Sequence, residues 1–160
     1  MFVVASVILS SPATSSATSR AQAPSRETAA SAAPRDLAED ERAGGHTLAR
    51  HVGKSDAELA ARLARERDIS AASTYTDAAT AAIAVGTALA QSKARVDSWL
   101  ARHGSRPNLV LNYFRATGPP IGRSLGRGQR TAVACYRALV VLRWDNRRGR
   151  WYVLTSYPET

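Results

Sequence analysis

The sequence is poor in the residues from which disulfides, metal centres and membrane spans are built. Its single cysteine, Cys135, excludes an intramolecular disulfide and a zinc site made of cysteines alone. Cys135 lies in the alternating run of residues 131–144, where we expect it to be a small buried apolar residue. Its three histidines lack the spacing of a metal-binding motif, so the sequence predicts neither a metal site nor a cofactor. No stretch approaches the ~20 consecutive apolar residues that cross a bilayer, and we expect no stable association with a membrane.

Acidic side chains are also scarce, most of all in the later part of the chain. The 160 residues carry 22 Lys and Arg against 13 Asp and Glu, which gives a formal net charge of +9. Residues 46–160 hold 18 basic and 8 acidic side chains, whereas residues 1–45 hold 4 and 5. A polyanion is therefore the first partner to consider.

The composition divides the chain into a leader, residues 1–43, and a body, residues 44–160. In the stretch Ser11–Arg35, 20 of 25 residues are Ala, Ser, Thr or Pro, and such a segment buries too little apolar surface to offset its ordering entropy. We therefore expect a disordered leader. The apolar run at residues 1–9, with Ala-Gln-Ala at residues 21–23, has the form of a secretion signal, but no basic residue precedes it. A signal peptide and a plain flexible leader both stay open.

Helix signals fill the first half of the body. Just before it, Asp36–Arg42 has the composition of a weak helix that leads into the body. Ser55 and Glu58 are spaced as a capping box, which satisfies two backbone amides and predicts a helix that runs to about residue 68. We expect an alanine-rich helix over residues 78–90 and a helical continuation over residues 91–103, where a glycine and a proline stop it.

Strand signals fill the second half of the body. Alternating apolar residues predict strands over residues 108–116 and 131–144, separated by a loop rich in Gly, Pro and Arg at residues 117–130. A turn at residues 145–149 returns the chain into a last strand, Arg150–Tyr157. Helices first and an antiparallel meander second imply an α+β domain with an N-terminal helical lobe followed by an antiparallel β-sheet.

The last strand offers two hydroxyl groups. A period of two places Trp151, Val153, Thr155 and Tyr157 on one face, with both hydroxyls near the end of the strand, which we expect Pro158 to terminate. Thr and Tyr are also good strand formers on a half-buried face, so this pattern alone does not define a site.

A second cluster of functional groups lies near the start of the body. Two histidines, an arginine and a lysine fall within nine residues: His46, Arg50, His51 and Lys54. Repulsion by neighbouring cations lowers the pKa of a histidine and favours a neutral imidazole, which can act as a general base. The ordinary interpretation is a solvated basic helix end, with Arg62 of the next helix paired to Glu58.

Basic and aromatic residues interleave in the strand half. Ten basic residues lie between residues 106 and 150 of the sequence, and Asp145 is the only acidic residue in that range. Five aromatic residues lie among or beside them: Tyr113, Phe114, Tyr136, Trp144 and Trp151. Arginine binds phosphates and aromatic rings stack on bases, so this half suits single-stranded nucleic acid. A solvated basic surface is the alternative, and the loop lacks the G-K-[ST] of a nucleotide P-loop.

Four motifs together resemble a known family. The opening G-G-H-T-L-x-x-H-V-G at residues 44–53 is followed by the helix with Arg62, by A-S-T-Y-T-D at residues 72–77 and by L-T-S-Y-P at residues 154–158. This combination is similar to the bacterial RNase A-like toxin domain, which is found at the C-termini of contact-dependent growth-inhibition toxins and other polymorphic exported toxins. The resemblance covers about residues 44–158.

The resemblance implies a fold, a site and partners. The positions of the family's motif fall on His51, Arg62, Thr155 and Tyr157, which are thereby implied as catalytic residues. The family implies a metal-independent ribonuclease of kidney-shaped α+β form, paired with a cognate immunity protein. It further implies a protein that is secreted or delivered into the cytoplasm of a target cell, and we expect a monomer.

The expected roles follow from what RNA cleavage requires: the 2′-OH loses a proton, the charge of the phosphorane is stabilised and the 5′-oxygen gains a proton. We expect His51 to transfer a proton, and Arg62 and Thr155 to hold phosphate oxygens. Tyr157 would donate a hydrogen bond or act as the second proton-transfer partner, and the product would be a 2′,3′-cyclic phosphate. Two further residues are candidates for binding flanking phosphates: Lys54 and His46.

A non-catalytic basic module that binds RNA or DNA is the alternative function, because it would need only the basic and aromatic surface. It predicts no RNA cleavage in EDTA, in contrast to a ribonuclease. A structural or adaptor domain would show no salt-dependent binding of nucleic acid at all.

Overall fold

The computed structural model describes residues 32–160. The predictions of a signal peptide and of disorder for residues 1–31 lie outside the described residues. The helices are α1 (Leu37–Ala43), α2 (Thr47–His51), α3 (Asp56–Arg65), α4 (Ala78–Gln91) and α5 (Lys93–Leu100). The strands are β1 (Ala71–Tyr75), β2 (Leu109–Phe114), β3 (Gly122–Gly126), β4 (Val133–Cys135), β5 (Arg137–Asp145) and β6 (Arg150–Glu159).

The strands form two antiparallel sheets of three strands each. The strand order is β1-β3-β4 in the first sheet and β2-β5-β6 in the second sheet. The α+β class is confirmed, although the β part is two sheets where the sequence predicts one meander. None of the helices between residues 32 and 160 is long and apolar enough to cross a bilayer.

Three strand predictions are corrected by the structure. Residues 71–75, within the half predicted to be helical, form β1, and the loop predicted over residues 117–130 contains β3. A Cβ at Gly122 would collide with the carbonyl oxygen of Thr74 on β1, so the close approach of the two strands requires glycine at this position. Because glycine is more typical of a loop, the sequence does not indicate a strand here. The single strand predicted over residues 131–144 is two strands, β4 and β5, which belong to different sheets.

The helix predictions hold more closely. Ser55 and Glu58 form the predicted capping box, with the Glu58 carboxylate accepting the Ser55 N–H at 2.7 Å. α3 ends at Arg65, three residues before the expected end, and α4 matches the alanine-rich helix predicted over residues 78–90. The small side chains of α4 pack with the inner face of the second sheet in the main core, which includes Ala81, Ala84, Val85, Leu111 and Val140.

The ordered part of the chain begins before the predicted body. α1 lies inside the predicted leader, where the Asp36 side chain caps it by accepting the Glu39 N–H at 2.9 Å. α1 buries Leu37 and Ala43, so the expected disorder does not extend to residues 37–43. The division of the chain at residue 43 stays a prediction.

Candidate active site

One cleft contains all four residues implied as catalytic. It has a volume of about 480 Å³, and we call it the site cleft. His51 at the end of α2, Arg62 on α3, and Thr155 and Tyr157 on β6 all line it. His46, at the start of α2, lines it as well, and residues of β1 and β3 form another part of the wall. Helices from the start of the body thus meet the last strand, as the predicted site requires.

His51 is buried and held in one tautomer. Only 6% of its surface is exposed, and its Nδ1 lies 3.2 Å from the carbonyl oxygen of Ser73 on β1. Because a carbonyl can only accept, Nδ1 carries the proton and Nε2 keeps the lone pair. Burial, and then the positive charge of Arg62, lower the pKa of His51 to about 4. The sequence predicts the lowered pKa from neighbouring cations, but burial is the larger cause.

Two aromatic rings flank His51. Its ring centroid lies 5.3 Å from that of Tyr157 and 6.5 Å from that of His46. Burial raises the pKa of the Tyr157 hydroxyl, and the nearby Glu159 raises it further. The phenol is therefore protonated at neutral pH and can donate a hydrogen bond or a proton. Burial, followed by the charge of Arg50, lowers the pKa of His46.

Two buried polar atoms of the cleft have no hydrogen-bond partner among residues 32–160: Arg62 Nη1 and Thr155 Oγ1. The Arg62 side chain is only 16% exposed, and its Nε donates to Glu66 at 3.1 Å, where the sequence suggests a pair with Glu58. An unpaired buried polar group costs about 1–3 kcal/mol. A ligand with oxygen acceptors, such as a phosphate, would satisfy both atoms.

A β-bulge places the Thr155 hydroxyl in this cleft. The register between β5 and β6 shifts by one residue: Val153 pairs with Leu142, whereas Thr155 pairs with the preceding residue of β5, Val141. Leu154 is therefore an extra residue without a partner in the ladder. Since cross-strand partners lie on the same face of a sheet, the side chains of β6 switch faces at Leu154.

The prediction that four alternate side chains of the last strand share one face is therefore wrong in part. Val153 is fully buried in the main core and Trp151 packs against it, whereas Thr155 and Tyr157 line the site cleft. The predicted stop at Pro158 is also wrong, because Pro158 lies within β6 and pairs with β5. β6 is an edge strand of its sheet, where a proline is tolerated.

The bulge is stabilised by α1 and by the segment that carries the G-G-H-T motif. Three hydrogen bonds connect these two parts of the chain to β6: Val153 N–H to Asp40 Oδ1 (3.0 Å), His46 N–H to Leu154 O (2.9 Å) and Ser156 N–H to Thr47 Oγ1 (2.9 Å). Asp40 is buried and also accepts two hydrogen bonds from Arg35. A Cβ at Gly45 would lie 2.5 Å from the carbonyl oxygen of Val153, so the close approach requires glycine.

Two positioning contacts were not expected from the sequence. The buried Tyr75 hydroxyl lies 2.6 Å from Ser156 Oγ and joins the two sheets next to the cleft. The Ser73 carbonyl fixes the His51 ring. Both β1 residues lie in the A-S-T-Y-T-D motif, and Ser156 lies in L-T-S-Y-P. The motifs therefore include these residues, although the sequence does not show which contact each of them makes.

Two other residues singled out by the sequence lie outside the site cleft. Lys54 donates its N–H to Thr74 Oγ1 at 3.0 Å, and it lines a neighbouring groove with Arg50 and Arg65. Its role in substrate binding stays a prediction. Cys135 is fully buried, as predicted, and burial raises the pKa of its thiol to about 11, which leaves it unsuited to act as a nucleophile.

The interleaved aromatic residues divide into two groups. Trp144 lies 4.0 Å from the guanidinium of Arg106, and Trp151 lies 4.7 Å from that of Arg35, so both rings are engaged within the protein. Tyr113 is buried. Two rings are left accessible: Phe114 at 58% and Tyr136 at 42% exposure.

The fold and the cleft define a class of protein. A neutral buried imidazole, an arginine with an unpaired nitrogen, and two hydroxyls in an α+β frame are the groups needed to cleave a phosphodiester.

Comparison with known proteins identifies the family. The family described as the bacterial CdiA-CT RNAse A domain matches residues 45–158, and the chain belongs to that family. A crystal structure of a CdiA-CT/CdiI complex from Y. kristensenii is similar at 31% identity and a TM-score of 0.62, over 72% of this chain and 100% of that one. The comparison with curated proteins gave no significant match. The resemblance predicted from the motifs is confirmed, and the chain is a ribonuclease of the kind found in contact-dependent growth inhibition.

Proposed function

We propose that this ribonuclease cleaves RNA without a metal, by attack of the 2′-OH on the adjacent phosphorus. The observation that carries the proposal is the convergence of two unpaired polar atoms, Arg62 Nη1 and Thr155 Oγ1, on the cleft that contains the neutral His51. Both atoms can donate to the non-bridging phosphate oxygens, whose charge grows in the transition state.

Proton transfer is divided between His51 and Tyr157. His51 Nε2 accepts the proton of the 2′-OH as the bond between the 2′-oxygen and phosphorus forms. The bond from phosphorus to the 5′-oxygen breaks, and that oxygen takes a proton from the Tyr157 hydroxyl. His51 then returns its proton, which restores the phenol. The products are a 2′,3′-cyclic phosphate and a free 5′-hydroxyl.

The test is cleavage of a single-stranded oligoribonucleotide in EDTA, with the products identified by mass spectrometry. We expect a 2′,3′-cyclic phosphate, and no cleavage at a position that carries a single 2′-deoxy substitution. His51→Ala should lower the rate by about 10²–10⁴-fold, the range for a general acid or base. The matched control is His103→Ala, since His103 is exposed in the loop after α5. A 5′-phosphate product, or full activity in His51→Ala, would contradict the mechanism.

We further infer that the chain acts as a toxin in the cytoplasm of a target cell and is neutralised by a cognate immunity protein. The solved relative is a CdiA-CT in complex with CdiI, and a partner of that kind would suit this chain. The excess of 18 basic over 8 acidic residues in 46–160 favours an acidic surface on the partner.

Growth of bacteria that express the chain in the cytoplasm tests this second inference. Growth should stop, and His51→Ala or co-expression of the immunity protein should restore it. Unchanged toxicity in His51→Ala would separate growth arrest from RNA cleavage and contradict the inference.

A further inference from the structure

The site cleft opens onto one face of the second sheet. Tyr157 of β6 pairs with Leu139 of β5, which pairs with Asn112 of β2, and Thr155 continues in the same way through Val141. Cross-strand partners share a face. The face that carries the catalytic hydroxyls therefore extends across all three strands, and we call its part on β2 and β5 the open face: Val110, Asn112, Phe114, Arg137, Leu139 and Val141.

Burial agrees with this assignment of faces. On β2 the alternate residues Leu111 and Tyr113 are buried against the core, whereas Val110 is 43% and Phe114 is 58% exposed. Leu139 and Val141 of β5 are half-buried, and they lie between the exposed β2 residues and β6. An apolar surface of this kind, next to a catalytic cleft, is typical of a ligand-binding site.

Phe114 is the most exposed ring of the open face, and a cation accompanies it. The Arg137 guanidinium, across the strand from Phe114, lies 5.7 Å from the centre of its ring. A flat ring next to a guanidinium is a surface on which a nucleobase stacks, while the positive charge attracts the phosphate. Asn112, exposed on the same face, offers an amide donor and acceptor to the edge of a base.

The position of Phe114 fits a base near the cleaved bond. Phe114 lies two strands away from Tyr157 and two residues further along the sheet. With strands about 4.8 Å apart and a rise of about 3.3 Å per residue, the two Cα atoms are roughly 12 Å apart. A nucleotide chain whose cleaved bond lies at Tyr157 covers that distance with one or two further nucleotides.

We propose that Phe114 and Asn112 form a nucleobase-binding subsite that takes a base of the RNA strand one or two nucleotides beyond the two that flank the cleaved bond. The proposal rests on RNA as the substrate of the site cleft. A protein partner is the rival occupant, but the chain segment that contains this face, residues 106–150, has ten basic residues and one acid, which favours a polyanion. Glu159 of β6 pairs with Arg137 of β5 and therefore lies on the same face of the sheet. Its negative charge makes the surface around Arg137 less positive than the segment as a whole.

The test compares two substrates that differ in length: a dinucleotide, which is too short to reach Phe114, and an oligoribonucleotide of about ten residues. We expect Phe114→Ala to lower kcat/KM on the longer substrate by about 5-fold to 100-fold more than on the dinucleotide, which is the range for loss of one stacked base. Phe114→Trp should retain the preference for the longer substrate, whereas Phe114→Leu, which keeps apolar bulk, should lose it. The control is Ile83→Ala, since Ile83 is 39% exposed on α4 and lies outside this face.

Equal losses on the two substrates would overturn the proposal, and so would a long-substrate preference that survives in Phe114→Ala. Phe114→Ala could instead bind the immunity protein more weakly while it keeps the wild-type preference for the longer substrate. That result would assign the open face to the immunity protein. Binding to a 2′-O-methyl oligonucleotide, which cannot be cleaved, separates the two proposals. If the wild type binds it, and Phe114→Ala weakens binding by the same 5-fold to 100-fold, the subsite stands even where the cleavage mechanism fails.

Discussion

The lowered pKa of His51 makes a prediction that an ordinary histidine would not. With a pKa of about 4, the free enzyme has about 97% of its His51 neutral at pH 5.5, whereas a histidine with the reference pKa of 6.5 would be about one-tenth neutral. The activity of a neutral general base follows these fractions. The ratio of kcat/KM at pH 5.5 to that at pH 7.5 should therefore lie near 1, against about 0.1 for an unperturbed histidine.

The assay is initial-rate cleavage of a fluorogenic oligoribonucleotide in EDTA between pH 4 and pH 9, because kcat/KM reports the pKa values of the free enzyme. Only one acidic limb is expected, near pH 4, since the raised pKa of Tyr157 keeps the phenol protonated throughout this range. Circular dichroism at each pH confirms that the chain stays folded. An acidic limb near pH 6.5 would refute the claim that burial keeps His51 neutral.

Variants of Arg62 separate the two causes of the shift. Arg62→Gln removes a positive charge and should move the acidic limb to higher pH, although not as far as 6.5, because burial is the larger cause. Arg62→Lys keeps the charge and should leave the limb near its original position. Both variants should lose activity, since Arg62 is proposed to hold the phosphate, so the position of the limb rather than the rate is the readout.

Three further predictions concern the frame of the site. The folded pKa of His51 lies below its reference value of 6.5, so its contribution to stability is complete above pH 6.5 and is lost as the pH falls towards 4. At about 1.36 kcal/mol per pKa unit, about 2.5 kcal/mol of this contribution is lost between pH 7.5 and pH 4.5, which is measurable by urea unfolding of wild type and His51→Gln at these two pH values. An equal pH dependence in both proteins would contradict it. Thr47→Val leaves the Ser156 N–H unpaired and should lower the free energy of unfolding in urea by about 1–3 kcal/mol and also lower kcat. Thr47→Ser, which keeps the hydroxyl, should retain both the stability and kcat of the wild type. A serine variant as impaired as the valine variant would show that the hydroxyl is not the cause. Gly45→Ala places a Cβ against the carbonyl oxygen of Val153 and should lower stability by about 1–3 kcal/mol, so an unchanged melting temperature would count against the close contact.

The sequence predicts local structure where short-range chemistry decides it. The capping box of Ser55 and Glu58, the alanine-rich α4 and the burial of Cys135 all follow from neighbouring residues or from composition, and the structure confirms them. β1 and β3 could not be predicted in this way. A strand such as Gly122–Gly126 exists because β1 lies beside it, and its own residues are typical of a loop.

The family motifs predict which residues meet, but not how they are held. The resemblance implied His51, Arg62, Thr155 and Tyr157, and all four line one cleft. The bulge at residue 154, by contrast, depends on hydrogen bonds from α1 and α2 to a strand more than a hundred residues later in the chain. A regular period of two describes β6 only as long as no such partner shifts its register.

The burial of His51 also explains why the site needs a second proton donor. A histidine with a pKa of about 4 is unprotonated and free to accept a proton at neutral pH, but too little of it is protonated at rest to act first as an acid. In the proposed mechanism the leaving oxygen therefore takes its proton from another group, which must be protonated at neutral pH and lie in the site cleft. The Tyr157 hydroxyl meets both conditions, with its ring 5.3 Å from that of His51 and its pKa raised by burial. Tyr157→Phe should accordingly slow cleavage of an ordinary 5′-linked substrate far more than that of a substrate with a 4-nitrophenolate leaving group, which departs without a proton. Equal losses on the two substrates would show that the hydroxyl only binds phosphate.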